Sequence, residues 1–249
     1  MKNPATLLLA ALLVGGATAC QTHPKNEGND SAADAATTAA ATTTAAGAET
    51  ADEGIKGEIV ADSAADADDG EVRVTLSALP TTRAGFESLR QQLGREPQGA
   101  VALELAAYEL FRHNPDLGRE CIALNNTESN VNFVVSRLQE LLPSASAQEG
   151  REWKDDGYAR PYLVMTFFDG ATPANGYTPS QPLTLRIRHS RVQPDQKSEM
   201  LHGTVMTYEV YSSGYDTPWR EVQVVQPKGS ECFLVSNCPA LYTQCKQPE

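Results

Sequence analysis

Five cysteines, at 20, 121, 232, 238 and 245, carry the most pronounced chemistry in the chain. The last four form an even set, and in an exported domain that points to two disulfides with three connectivities open. Cys238 and Cys245 are near in sequence and would staple the tail, leaving Cys121 to tie a helix to the strand at Cys232. The rival arrangement joins Cys232 to Cys238 and Cys121 to Cys245. The four thiols lack the paired C-x-x-C spacing of zinc sites, so the sequence calls for no metal and no cofactor. His23, His113, His189 and His202 are scattered, and none stands beside an obvious nucleophile. A G-x-S-x-G elbow, a phosphate-cradling glycine loop and an S-x-x-K run are all missing. Asp155-Asp156 lies in a polar stretch and reads as a solvated loop rather than a hydrolytic carboxylate pair. The best candidate binding surface is aromatic: Tyr177, Tyr215 and Trp219, with Asp216 and Arg220 to orient a sugar or peptide stacked on the rings.

The elements that would position these residues follow from periodicity. Val72, Val74 and Leu76 alternate, as in a short strand over 71–77. Phe86, Leu89 and Leu93 then recur at helical spacing after Thr82 and stop at Gly94. A second helix runs from about Gln98 to His113, with Leu103, Ala106, Ala107, Leu110 and Phe111 on one face. A short helix is expected over 117–124, and a fourth begins at Asn130 and ends before Pro143. Beyond Arg151 the period changes to two. Tyr162–Phe168, Leu183–His189, Gly203–Tyr211, Arg220–Gln226 and Glu231–Ser236 read as strands, separated by Asp-Gly, Asn-Gly, Ser-Gly and Lys-Gly turns. Helices followed by consecutive strands predict an α+β domain over residues 71–249. Three or four N-terminal helices would pack on a four- to five-stranded antiparallel sheet, a cone of the nuclear-transport-factor kind being one specific form.

Before this domain the composition differs. Met1-Lys2-Asn3-Pro4, an apolar run from Ala5 to Val14 and small residues up to Ala19 describe a secretory signal peptide over 1–19, too short to span a bilayer. The small residues lead directly into Cys20, and this resembles a bacterial lipoprotein signal. The resemblance implies that Cys20 receives lipid, palmitate among its acyl chains, and becomes the first residue of the mature protein. Each buried methylene contributes about 0.8 kcal/mol, so two or three chains hold firmly to a membrane surface. With Gln21 rather than Asp after the lipidated position, the same resemblance directs the protein to the outer membrane, on its periplasmic face or at the cell surface. From 20 to 70 the chain reads as a disordered linker. Of residues 31–50, 16 of 20 are Ala or Thr, and eleven acids between 21 and 70 face only Lys25 and Lys56. Low hydrophobicity with excess charge does not offset the entropy of ordering. A flexible coil of this length spans roughly 40 Å and lifts the domain off the lipid. The chain's net charge of −12 argues against a nucleic-acid partner.

Three runs in order, Glu96–Ala100, Phe168–Pro179 and Ser212–Pro218, resemble an uncharacterised bacterial domain-of-unknown-function family over about 72–236. The resemblance implies a fold without an activity. This chain departs from it in having Cys232-Phe233-Leu234-Val235 at a Trp/Tyr-rich strand, and Met165-Thr166-Phe167 where the family tends to Arg-Ser-Tyr. The resulting expectation is a lipid-anchored envelope protein whose domain is a non-enzymatic binding or structural module for a cell-wall, polysaccharide or protein partner. An exported hydrolase with a site assembled from distant residues, and an inhibitor or immunity-type protein, are the alternatives. An enzyme needs a deep pocket with convergent ionisable groups.

Overall fold

A computed structural model describes residues 52, 54–61, 70–142 and 159–249. The signal segment, Cys20 and Asp155-Asp156 lie outside the described residues. Two strands come first, β1 (Gly57–Ala61) and β2 (Val72–Leu76). Four helices follow: α1 (Arg83–Leu93), α2 (Pro97–His113), α3 (Pro115–Asn125) and α4 (Glu128–Leu141). The chain then returns through β3 (Leu183–His189), β4 (Gln196–Ser198), β5 (Gly203–Tyr211), β6 (Trp219–Val225) and β7 (Leu234–Asn237). Among the described residues, seven strands make one sheet in the order β1-β2-β3-β5-β6-β7, with β4 added beside β5, and each ladder between them is antiparallel. Along β5, β4 pairs with residues 203–205 and β3 with 208–210, so the two share one side of it.

The domain is α+β, but the expected arrangement is overturned. The helices are inserted between β2 and β3 rather than leading the fold, and the sheet has seven strands rather than four or five. The cone-like expectation falls with it. The reason lies in the two strands that carry little pattern. β4 is three polar residues, Gln-Lys-Ser, paired to β5 through its backbone. β1 sits inside the stretch whose composition reads as linker, with Ile59 as its apolar residue facing the core cluster. Contacts distant in sequence order it. The Gln92 amide of α1 donates to the Ile55 carbonyl and accepts from the Gly57 N–H, and Ile55 is buried. Asp52, just upstream, receives the Thr81 N–H, the Thr82 N–H and both threonine hydroxyls. Tyr162–Phe168 is a further correction, since Val164–Phe167 is a 3₁₀ turn. Its most buried residues, Leu163, Val164, Phe167 and Phe168, recur at helical spacing.

Local signals explain the helices. Thr82 caps α1, its hydroxyl accepting from the Gly85 N–H. Asn114 ends α2 and caps α3, its side chain accepting from the Leu117 N–H. Prolines open both α2 and α3, where a missing N–H costs nothing. α2 is buried all round from Gly99 to Phe111, the behaviour of a helix enclosed by a core. It packs against α1 and α3 on one side and against β2, β3, β6 and β7 on the other. Gly118 of α3 admits the closest approach, since a Cβ there would lie 2.2 Å from the Phe111 Cα. The sheet turns Val74, Leu185, Ile187, Val210 and Val222 toward α2, while alternate residues face the other way.

Candidate functional site

The aromatic residues singled out by sequence divide between two places. Trp219 pairs with Tyr211 and Arg220 with Val210, so Trp219 and Arg220 project from opposite faces of the sheet. On the face turned away from α2, the Arg188 guanidinium stacks 4.0 Å over the Trp219 ring. Arg186 lies 4.7 Å from the Tyr211 centroid. Both arginines are paired, Arg186 with Glu71 at 2.6 Å and Arg188 with Glu209 at 2.7 Å. Trp219 is therefore built into a ladder of ion pairs and rings, with a guanidinium over its ring.

Tyr177, Tyr215, Asp216 and Arg220 do converge, and what they hold is the C-terminal tail. The Tyr215 hydroxyl donates to the Thr243 carbonyl (2.9 Å), and Arg220 donates to the Ala240 carbonyl and the Thr243 hydroxyl. Arg220 also stacks 4.1 Å over the Tyr215 ring. Asp216, 92 % exposed, pairs with Lys246 at 2.6 Å. Tyr177 is only 1 % exposed; its ring stacks on Tyr162 with centroids 5.1 Å apart, and its hydroxyl donates to the Lys246 carbonyl. Its φ of 58° lies in the left-handed region, which a bulky residue occupies only when its surroundings compel it. The stacked ring and the tail supply that compulsion. Arg160, almost fully buried, completes the clasp by donating to the Cys245 carbonyl at 2.9 Å. Burial pushes the phenols of Tyr162 and Tyr177 up to about 12, so they act as neutral donors and stacking surfaces.

The structure shows no disulfide among the described residues. Cys121, Cys232, Cys238 and Cys245 are all free thiols. Each is engaged in its own setting. Cys238 meets the Tyr108 hydroxyl at 3.3 Å and the Asn130 amide at 3.5 Å, while Cys232 lies against Gly94. Burial pushes Cys121 and Cys245 up to about 12 and Cys238 higher still, which keeps them protonated. Among the described residues, no group of three His, Cys, Asp or Glu side chains is placed to hold a metal, and no helix is long and apolar enough to cross a membrane. His189, at the end of β3, meets Asp195 of the loop before β4 at 2.9 Å, but both side chains are more than 40 % exposed.

Behind the tail lies a cavity of about 590 Å³, between the end of α2, the 3₁₀ turn and the last three residues. Pro161, Tyr162, Met165 and Pro248 give it apolar walls, and Arg112 supplies a guanidinium. That guanidinium binds Glu109 Oε1 through Nη2 (2.5 Å) and Nε (3.0 Å). Glu109 is itself buried, with Oε2 left without a partner. Met165 keeps this wall apolar. Sequence reasoning missed Arg112, Arg160 and Tyr162. Arg112 reads as an ordinary helix-end cation, and the walls come from segments more than a hundred residues apart. The arrangement can enclose a compact apolar group; its charged lining is Arg112, whose guanidinium is already paired with Glu109, and the acidic Glu249.

Together these features define an α+β protein with one antiparallel sheet, a buried central helix and a clasped tail that walls a cavity. The family model for domain of unknown function DUF6935 matches residues 78–249, and the chain belongs to that family. No curated protein and no solved structure matches the chain.

Proposed function

We propose that this chain is an exported envelope protein, lipid-anchored through Cys20, whose domain is a non-enzymatic binding module. The cavity beside the C-terminal tail receives part of a cell-wall, polysaccharide or protein partner. One observation carries the binding half of this reading: a volume of about 590 Å³ with apolar walls, where the Arg112 guanidinium is paired with Glu109 and Glu249 also lines the space. That size lies within the span of small-ligand sites, about 300–1,000 Å³. The anchoring half is supported by the order of a basic start, an apolar run, small residues and Cys20. The outer membrane is the destination that Gln21 favours.

The two halves are tested separately. For the cavity, the probe is N-phenyl-1-naphthylamine, an uncharged apolar ring system that matches the apolar walls. The native domain should bind it saturably, and Met165→Trp, which fills the space, should abolish that binding while leaving the unfolding midpoint within a few degrees. Equal binding by both proteins would refute the site. For the anchor, radiolabelled palmitate should enter the wild-type chain, and Cys20→Ser should move from the membrane pellet to the soluble fraction. A Cys20→Ser protein that still sediments with membranes would refute the lipidation.

A further inference from the structure

One buried polar cluster is used neither by the tail clasp nor by the cavity. Glu104, in the middle of α2, has 0 % exposure. Its Oε2 accepts from two amides, Asn125 at 2.8 Å and Asn126 at 2.6 Å. Asn126 in turn accepts from Asn130 at 2.7 Å, and Asn130 also reaches Cys238. Two acceptors in this cluster have no donor in hydrogen-bond geometry, Glu104 Oε1 and Asn125 Oδ1; the Tyr108 hydroxyl stands near the carboxyl but is engaged with Cys238 at 3.3 Å. Turning the Asn125 amide over does not repair this, because its Nδ2 already serves both Glu104 Oε2 and the Ala100 carbonyl at 3.0 Å. Leaving either oxygen unpaired in the core would cost about 1–3 kcal/mol. A proton on Oε1 removes the negative charge that would otherwise stand unbalanced in the core and turns an acceptor without a donor into a hydroxyl.

We infer that Glu104 is a neutral carboxylic acid in the folded protein, and that its ionisation loosens the joint between the α3–α4 corner and β7. That joint passes through the cluster. Asn126 bridges to Val235 of β7, and the Thr127 N–H donates to the Val235 carbonyl at 2.9 Å. Cys238, directly beyond β7, rests on Tyr108 and Asn130. The titratable groups that act on Glu104 are Tyr108 of α2, Cys238 beyond β7 and Tyr242 of the closing 3₁₀ helix. Burial drives the ionisation of all three upward, so none supplies charge at neutral pH. The α3–α4 corner contributes only the three uncharged amides. Glu104 thus faces no cation, and an ionised carboxylate there would be a lone buried charge. Burial accordingly raises its carboxyl to about 7, against the pull of the Asn125 and Asn126 amides and the nearby Tyr108 hydroxyl.

The sign follows from linkage. The folded chain binds a proton that the unfolded chain has released, so this contribution is complete below the ordinary carboxylate range. It drains away as pH rises to about 7 and changes no further above it. The opening constant should climb on the order of 50-fold between pH 5 and 7.5. Two measurements test this on the intact domain. Infrared spectroscopy at pH 6 should show a protonated carboxyl band that Glu104→Gln lacks. Hydrogen exchange, corrected for intrinsic rates, should show Val235 and the residues after it opening more with rising pH in the wild type, and much less in Glu104→Gln. Absence of the acid band at pH 6 would overturn the inference even if the variant failed to fold. So would an equal pH response in the two proteins.

Discussion

Replacing Gly85 by alanine sets two physical effects against each other. Gly85 lies in the first turn of α1, and alanine is the better helix former by up to about 1 kcal/mol, so helix propensity alone makes the change stabilising. The structure reverses the sign. A Cβ at Gly85 would fall 2.1 Å from Asp52 Oδ2 and 2.5 Å from its Cγ, too close for any real contact. The carboxylate must then leave a site where it accepts from the backbone N–H groups and hydroxyls of both Thr81 and Thr82, the shortest bond being 2.6 Å. Asp52 is partly exposed, so the loss should match that of a helix N-cap, about 1–2 kcal/mol, and Gly85→Ala should destabilise by about 1 kcal/mol net. A double-mutant cycle in urea isolates the contact. With Asp52→Ala already in place, Gly85→Ala should become neutral or stabilising. The Asp52 contact with Thr81 and Thr82 should also weaken in acid. Burial opposes the charge on Asp52, but the threonine hydrogen bonds outweigh it and hold the carboxyl below its usual range. Its contribution is therefore present above the ordinary aspartate value and lost as pH falls through the lowered one. If Gly85→Ala stabilised the native protein, or if the cycle showed no coupling, Asp52 would not be seated on α1, and the start of β1 would need another explanation.

Other consequences are open to measurement. Tyr177→Phe keeps the stack on Tyr162 and loses the bond to Lys246, so it should cost about 1 kcal/mol in urea unfolding, whereas Tyr177→Ala should cost about 3–5 kcal/mol; equal costs would show that the ring carries nothing. Native alkylation followed by mass spectrometry should label half-buried Cys232 well before Cys121, Cys238 and Cys245, and all four should react after unfolding without reductant. Protection that persisted in denaturant until a reductant was added would restore the disulfides.

The limits of sequence reading are visible in particular residues. Thr82, Gly94, Asn114 and Pro115 punctuate the helices chemically, so α1, α2 and α3 are legible to within a few residues. β3 and β5 are bounded by turn residues and agree with their expected limits. Tyr162–Phe168 misleads because a short apolar run fits a tight helical turn as well as a strand. The aromatic surface misleads for a different reason. Tyr177, Tyr215 and Arg220 have the composition of a binding rim, and nothing local reveals that their partners are carbonyls of residues 240–246.

Local pattern alone was enough for the helix caps, the longer strands and the α+β class, because capping, turn chemistry and side-chain period act over a few neighbouring residues. Folding in three dimensions was needed for the rest. Gln92 and β2 recruit a strand from a stretch whose composition opposes order. Arg160, Arg220 and two tyrosines hold the tail that walls the cavity, and enclosure of α2 on every side makes Glu104 a buried acid. These outcomes depend on which distant groups meet and how much water they exclude, and both are properties of the assembled core.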